Sequence, residues 1–150
     1  MKAINSYTKI TITATIILFF MLAVVWTGTD QGVSIRSLKR IDKEGPVDIT
    51  ATYLNPLEKA GDSELRFEVK LDTHDVDLEQ YELKEISFIS FDDGKESKSI
   101  GSNREGYGHH ITYILLFAGP IPAEARTMTL IIRNVGDVTE RSLVWELPVK

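Results

Sequence analysis

From Val47 onward the apolar residues fall largely at alternate positions, and that period fixes the kind of fold open to the chain. Leu65, Phe67, Val69 and Leu71 alternate with Arg66, Glu68 and Lys70. Side chains two apart share one face of an extended backbone, so the segment reads as a strand with one face buried. Val47, Ile49, Ala51 and Tyr53 alternate in the same way with Asp48, Thr50 and Thr52. Ile86 to Phe91 changes parity midway, which a β-bulge would accommodate. Asp93-Gly94 then predicts a type I′ hairpin turn, with positive φ at both central residues. Lys95 to Ile100 returns as a short polar edge strand. Ile111 to Phe117 is apolar on both parities, as in a central strand covered on both faces. Met128 to Val135 and Ser142 to Leu147 complete the set, and Pro120-Ile121-Pro122 keeps its neighbouring strands from merging.

About seven strands with turn signals between them, and no helical period of useful length, predict an all-β chain. An immunoglobulin-like antiparallel sandwich over residues 47–150 is the natural solution, a small barrel the next. Leu65, Phe67, Val69, Ile111, Tyr113, Leu115, Leu130, Ile132 and Trp145 are the expected core between the sheets.

Ahead of this domain, Ile10 to Trp26 contains no charge, Pro or Gly. At ~1.5 Å per residue a helix over this run reaches roughly 25 Å, the short end of what spans a bilayer. A cleaved signal peptide needs small residues at its cleavage site, whereas the run exits through Val24-Val25-Trp26-Thr27-Gly28. A lipoprotein signal needs a Cys, and there is none. An uncleaved transmembrane signal anchor at 10–27 is the preferred reading, with residues 1–9 a short cytoplasmic tail. Lys2 and Lys9 precede the run and Lys9 abuts it, which favours N-in, C-out. The expected location is therefore the cell membrane, single-pass, with the C-terminal domain extracytoplasmic. Residues 28–46 are polar and Gly-containing and read as a linker. Within them Val33 to Lys43 has the spacing of a short amphipathic helix through Ile35, Leu38 and Ile41.

Lys and Arg number 17 against 22 Asp and Glu, for a net charge of −5, and both basic residues before Thr27 are lost from the domain while no acid is. An acidic domain argues against nucleic acid as a partner, because phosphate binding needs a basic stripe. The absence of Cys removes disulfides and thiolate metal sites.

The three histidines fall in two short segments, Asp72-Thr73-His74-Asp75-Val76-Asp77 and Gly106-Tyr107-Gly108-His109-His110. Imidazole with carboxylate suits Cu²⁺ or Zn²⁺, so His74, His109, His110, Asp72 and Asp75 are the candidate ligands. Neighbouring side chains on a strand point to opposite faces, so His109 and His110 share an ion only if the backbone is irregular there. The ordinary reading is loop histidines bonded to backbone, with no cofactor. Asp75, Asp77 and Glu79 alternate, but Gln80 holds the sixth position where a calcium loop needs Gly. Asp92-Asp93 beside Gly94 reads as turn chemistry. No G-x-S-x-G elbow or Gly-rich phosphate loop occurs, so an enzyme is not expected. The expected function is a membrane-anchored, outward-facing, non-enzymatic binding or accessory domain of the cell envelope, its partner an envelope protein. The alternative is an envelope Cu or Zn binding domain.

Three segments resemble a family of small exported proteins without an assigned biochemical function. They are Leu65 to Leu78 (LRFEVKLDTHDVDL), Gly108-His109-His110 leading into Leu115-Leu116-Phe117, and Ile131 to Trp145 (IIRNVGDVTERSLVW). Tyr81 to Ile100 (YELKEISFISFDDGKESKSI), with Phe117-Ala118-Gly119-Pro120, is similar to the hairpin and corner of telokin-like immunoglobulin domains in bacterial envelope lipoproteins. The resemblance implies an immunoglobulin-like fold and an envelope location. With no Cys for a lipid, the helix would be the anchor.

Overall fold

The alternating segments pair as two antiparallel sheets. A computed structural model of the chain describes residues 33–58, 61 and 63–149. The expected tail 1–9 and anchor 10–27 lie outside the described residues, among which no helix is long and apolar enough to cross a membrane. The strands among the described residues are β1 (Lys39–Asp42), β2 (Val47–Tyr53), β3 (Glu64–Thr73), β4 (Ser87–Phe91), β5 (Glu96–Lys98), β6 (Gly101–Tyr107), β7 (His110–Ala118), β8 (Thr127–Val135) and β9 (Val138–Glu146). One sheet has the order β1-β2-β3-β7-β6 and the other β5-β4-β8-β9, so the fold is a β-sandwich. Among the described residues the α-helices are single turns, α1 (Ile35–Leu38), α2 (Asn55–Glu58) and α3 (Leu83–Ile86).

The core lies where the alternation places it. Leu65, Phe67, Val69 and Leu71 from β3, and Ile111, Tyr113, Leu115 and Phe117 from β7, are buried, as are Leu130, Ile132 and Trp145 from the second sheet. Phe67 is the centre of an aromatic cluster. Its ring lies 5.2 Å from Tyr53, 5.8 Å edge-on to Phe117, and 5.3 Å from Trp145 across the sandwich. Such tilted and edge-to-face pairs suit the aromatic quadrupole and add to the gain from burial alone.

Several local expectations come out differently. The parity change at Ile86 to Phe91 is not a bulge: α3 ends at Ile86, and β4 then pairs with β8 in unbroken register from Ser87↔Ile132 to Phe91↔Met128. The β4–β5 turn is closed by Gly94 N–H donating to Phe91 C=O at 2.9 Å, with positive φ at Gly94 (70°) and not at Asp93. That is the longer hairpin loop in which a left-handed Gly follows an ordinary turn. The two-residue turn with both φ positive is instead Gly136 (59°) and Asp137 (62°), joining β8 to β9. β7 has one face in the core, while Ile114 and Leu116 on the other are only partly covered.

Of the expected linker 28–46, residues 28–32 lie outside the described residues, and part of 33–46 belongs to the fold. Ser34 caps α1, Leu38 is fully buried, and β1 pairs with β2 from Lys39↔Thr52 to Asp42↔Ile49. The sheet thus begins ahead of Val47. The amphipathic helix expected over Val33 to Lys43 is one turn, followed by a strand, and Ile35 and Ile41 are exposed.

Candidate functional site

β3 and β7 are neighbours, and their register brings the two histidine-bearing segments together at one end of the sheet. Asp72 lies opposite His110, and the N–H of Thr73 donates to the carbonyl of His109 at 3.1 Å. Gly108 (φ 66°) and His109 form the two-residue turn between β6 and β7, and positive φ at the first central position is what a type II′ hairpin requires of a glycine. His109 is therefore at the exposed tip, while His110 opens β7.

The His110 Nδ1 lies 2.7 Å from Asp72 Oδ1. Asp72 in turn lies opposite Asp48 on β2, and Lys43 donates to Asp48 Oδ2 at 2.6 Å. The result is a row across the outer sheet face, Lys43–Asp48–Asp72–His110, with two carboxylates side by side, an ammonium at one end and an imidazole at the other. Like charges directly opposite on a sheet repel, and the flanking groups offset this. The hydrogen bond to Asp48 and that carboxylate's charge hold the Lys43 ammonium above its ordinary pKa, with Asp72 adding to the effect.

Of the five candidate metal ligands, only His110 and Asp72 are joined. His74 and Asp75 follow the end of β3 and are exposed, and Asp75 uses its N–H on the Thr73 hydroxyl at 3.3 Å. Among the described residues no three His, Cys, Asp or Glu side chains are gathered as a metal ion requires. The Asp-Thr-His segment is organised by Thr73, which is buried. Its hydroxyl donates to Pro46 C=O at 2.7 Å and accepts from the N–H groups of Asp75 and Val76.

Asp92 is turn chemistry at long range. It accepts from the N–H groups of Arg126 (2.6 Å) and Thr127 (3.1 Å) and from the Thr127 hydroxyl. The hydrogen bonds from Arg126 and Thr127 hold its carboxyl below the usual range.

The polar residues most deeply committed to the structure carry no motif. Arg141 on β9 has a fully buried guanidinium. It donates to the Asp42 carboxylate and to the carbonyls of Glu44 and Val135, while its Nε has no partner among the described residues. The Trp145 indole N–H donates to Leu38 C=O at 2.7 Å, and Arg40 lies over the same ring at 5.3 Å. Together these fasten α1 and β1, at the edge of one sheet, to β9 at the edge of the other. A second tie runs through tyrosines: the Tyr113 hydroxyl donates to Tyr81 C=O at 2.6 Å, and the Tyr81 hydroxyl accepts from Gly136 N–H at 3.0 Å. Burial holds the Tyr113 phenol above its ordinary pKa. An Arg at an inward strand position is the one sequence signal that marks such a tie, and it shows only once the parity of β9 is known.

An open groove of about 450 Å³ lies where the β7–β8 connection meets the C-terminal segment. It is lined by Tyr53, Pro56, Ile121, Pro122, Leu147 and Pro148, with Ala and Val residues between them, and offers apolar surface without a titratable carboxylate or imidazole. No protein-family model, curated protein or solved structure matches the chain.

Proposed function

We propose that the chain is a membrane-anchored, outward-facing, non-enzymatic binding or accessory domain of the cell envelope, of immunoglobulin-like type, with a protein partner. The observation that carries the binding reading is the apolar groove bounded by Pro56, Ile121, Pro122 and Pro148. An apolar groove can receive side chains of a bound protein segment. Two of the charged groups have structural roles away from the groove: Asp92 caps a strand and Arg141 binds Asp42. The uncharged run Ile10 to Trp26 supports the anchor, and Lys9 beside it supports the orientation.

Two measurements test this reading. Alkaline carbonate extraction with protease protection, on cells expressing the full chain, tests the anchor and its sidedness. Retention in the membrane fraction with cleavage only from the outer side is expected; release by carbonate refutes the anchor. Photo-crosslinking from position 121 tests the groove, the expected product being a discrete adduct that Pro122→Asp abolishes. The metal alternative rests on the His110–Asp72 pair. Titration with Cu²⁺ and Zn²⁺ is expected to show no dissociation constant below about 10 μM, since two ligands leave most of the coordination shell to water.

A further inference from the structure

We infer that α1 and β1 form a membrane-surface docking edge, which seats the domain on anionic phospholipid headgroups. The inference rests on the anchored reading above. It starts from the parity of β1. Arg40 and Asp42 face inward, where Arg40 covers Trp145 and Asp42 binds Arg141. Lys39 and Ile41 therefore face out, and the burial pattern of the strand alternates accordingly. Ile41 is 55% exposed, and Ile35 in α1 is 64% exposed, the most of any large aliphatic side chain among the described residues.

Cations accompany these isoleucines. Arg36 follows Ile35, and Lys39 lies two residues before Ile41 on the same strand face. Neither side chain makes an ion pair with a described residue, whereas Lys43, Lys70, Lys98 and Arg133 all do. In a chain of net charge −5, two cations without an ion pair among the described residues, close in sequence to two exposed isoleucines, make this edge both basic and apolar. Exposed aliphatic side chains interleaved with Lys and Arg match the interface of a bilayer. The isoleucines enter the acyl boundary while the cations meet lipid phosphates. These residues are also the first of the fold to follow the apolar run in sequence, so continuity with the proposed anchor favours a lipid occupant.

The chain has no Cys, so a single engineered thiol can be labelled cleanly. The full chain carrying Ile41→Cys with an environment-sensitive fluorophore is reconstituted into two kinds of vesicle, phosphatidylcholine alone and phosphatidylcholine with about one third phosphatidylglycerol. Lys95→Cys, on the exposed β4–β5 turn, is the control. Blue-shifted emission, quenched by nitroxide-bearing lipid, is expected at position 41 in the anionic vesicles and not at position 95. Reversing Arg36 and Lys39 to Glu should lower the docked-to-undocked ratio by more than roughly fivefold per residue, since each change removes a cation and adds an anion, and added salt should lower it too.

If the chain does not float with vesicles at all, the anchored reading falls and this one with it. If it floats but position 41 is as wet as position 95, docking alone is overturned. Protection at position 41 that is equal in neutral vesicles and indifferent to salt marks a protein contact, such as a second copy, and also overturns it. Unchanged near-ultraviolet dichroism of the labelled and charge-reversed chains establishes that the sandwich is intact in each.

Discussion

Removing one partner of the Arg141–Asp42 pair should have unequal effects depending on which partner goes. In Asp42→Asn the guanidinium remains fully buried but loses its counter-charge, with only neutral acceptors left to it: the carbonyls of Glu44 and Val135 and the new amide oxygen. Breaking a buried pair in this way costs about 3–5 kcal/mol. Because the Asp42 side chain is 21% exposed, some water reaches the site, and the lower end, about 3 kcal/mol, is expected. In Arg141→Met the carboxylate left behind turns to solvent. The two carbonyls lose a donor, at about 1–3 kcal/mol each if unsatisfied, but the buried Nε without a partner disappears and an apolar side chain fills its space. A net loss of about 1–2 kcal/mol follows. The double variant should resemble Arg141→Met alone, giving a coupling energy equal to the whole Asp42→Asn loss, about 3 kcal/mol. Urea unfolding reads this directly in a Trp26→Phe background, where buried Trp145 is the only indole. An Arg141→Met loss larger than that of Asp42→Asn, or additive effects in the double variant, would refute the reasoning.

Phe67→Ala removes the hub of the Tyr53, Phe117 and Trp145 cluster and should cost about 3–5 kcal/mol; a loss under about 1 kcal/mol would mean β3 does not face the core as described. The buried Tyr113 phenol has a folded-state pKa raised above 10.0. Its contribution is therefore complete below pH 10.0 and is lost as pH rises through the folded value, so Tyr113→Phe should flatten the alkaline limb of a stability profile. Asp92 has the opposite sign: its folded pKa lies below 3.8, so its contribution is present above 3.8 and lost as pH falls through the folded value. Asp92→Asn should flatten the acid limb, and an unchanged limb would show that the carboxylate does not hold the Arg126–Thr127 backbone.

The period of two was enough to read the inner strands, because Leu65, Phe67, Val69 and Leu71 of β3 and the inward residues of β7 are all aliphatic or aromatic. It failed at β1 for a definite reason. Arg40 and Asp42 occupy the inward positions there, so the binary pattern is inverted and the strand resembles a polar spacer. The turns were less legible than the strands, since Asp93-Gly94 and Gly136-Asp137 are each compatible with hairpins of different loop length. Which loop forms depends on the register of the flanking strands. The row Lys43–Asp48–Asp72–His110 was half visible: both histidine segments are plain in the sequence, but their meeting depends on β3 pairing with β7. Asp48 and Lys43 join only because β2 pairs on the other side. Arg141 was not legible at all, as an isolated Arg in a strand is ordinarily a surface residue.

The fastening of β1 to β9 has a mechanical side. Tension arriving through residue 33 falls first on α1 and β1, and an edge strand paired along one side only would peel from β2 one hydrogen bond at a time. Arg141 and Trp145 prevent that sequence, because Asp42, the Glu44 carbonyl and the Leu38 carbonyl are all held from the opposite sheet. The load is thereby shared between β2 and β9, and yielding requires both sheets to give together. A domain built this way bears a pull from its N-terminal side as a single body, with its first and last strands acting as a buckle.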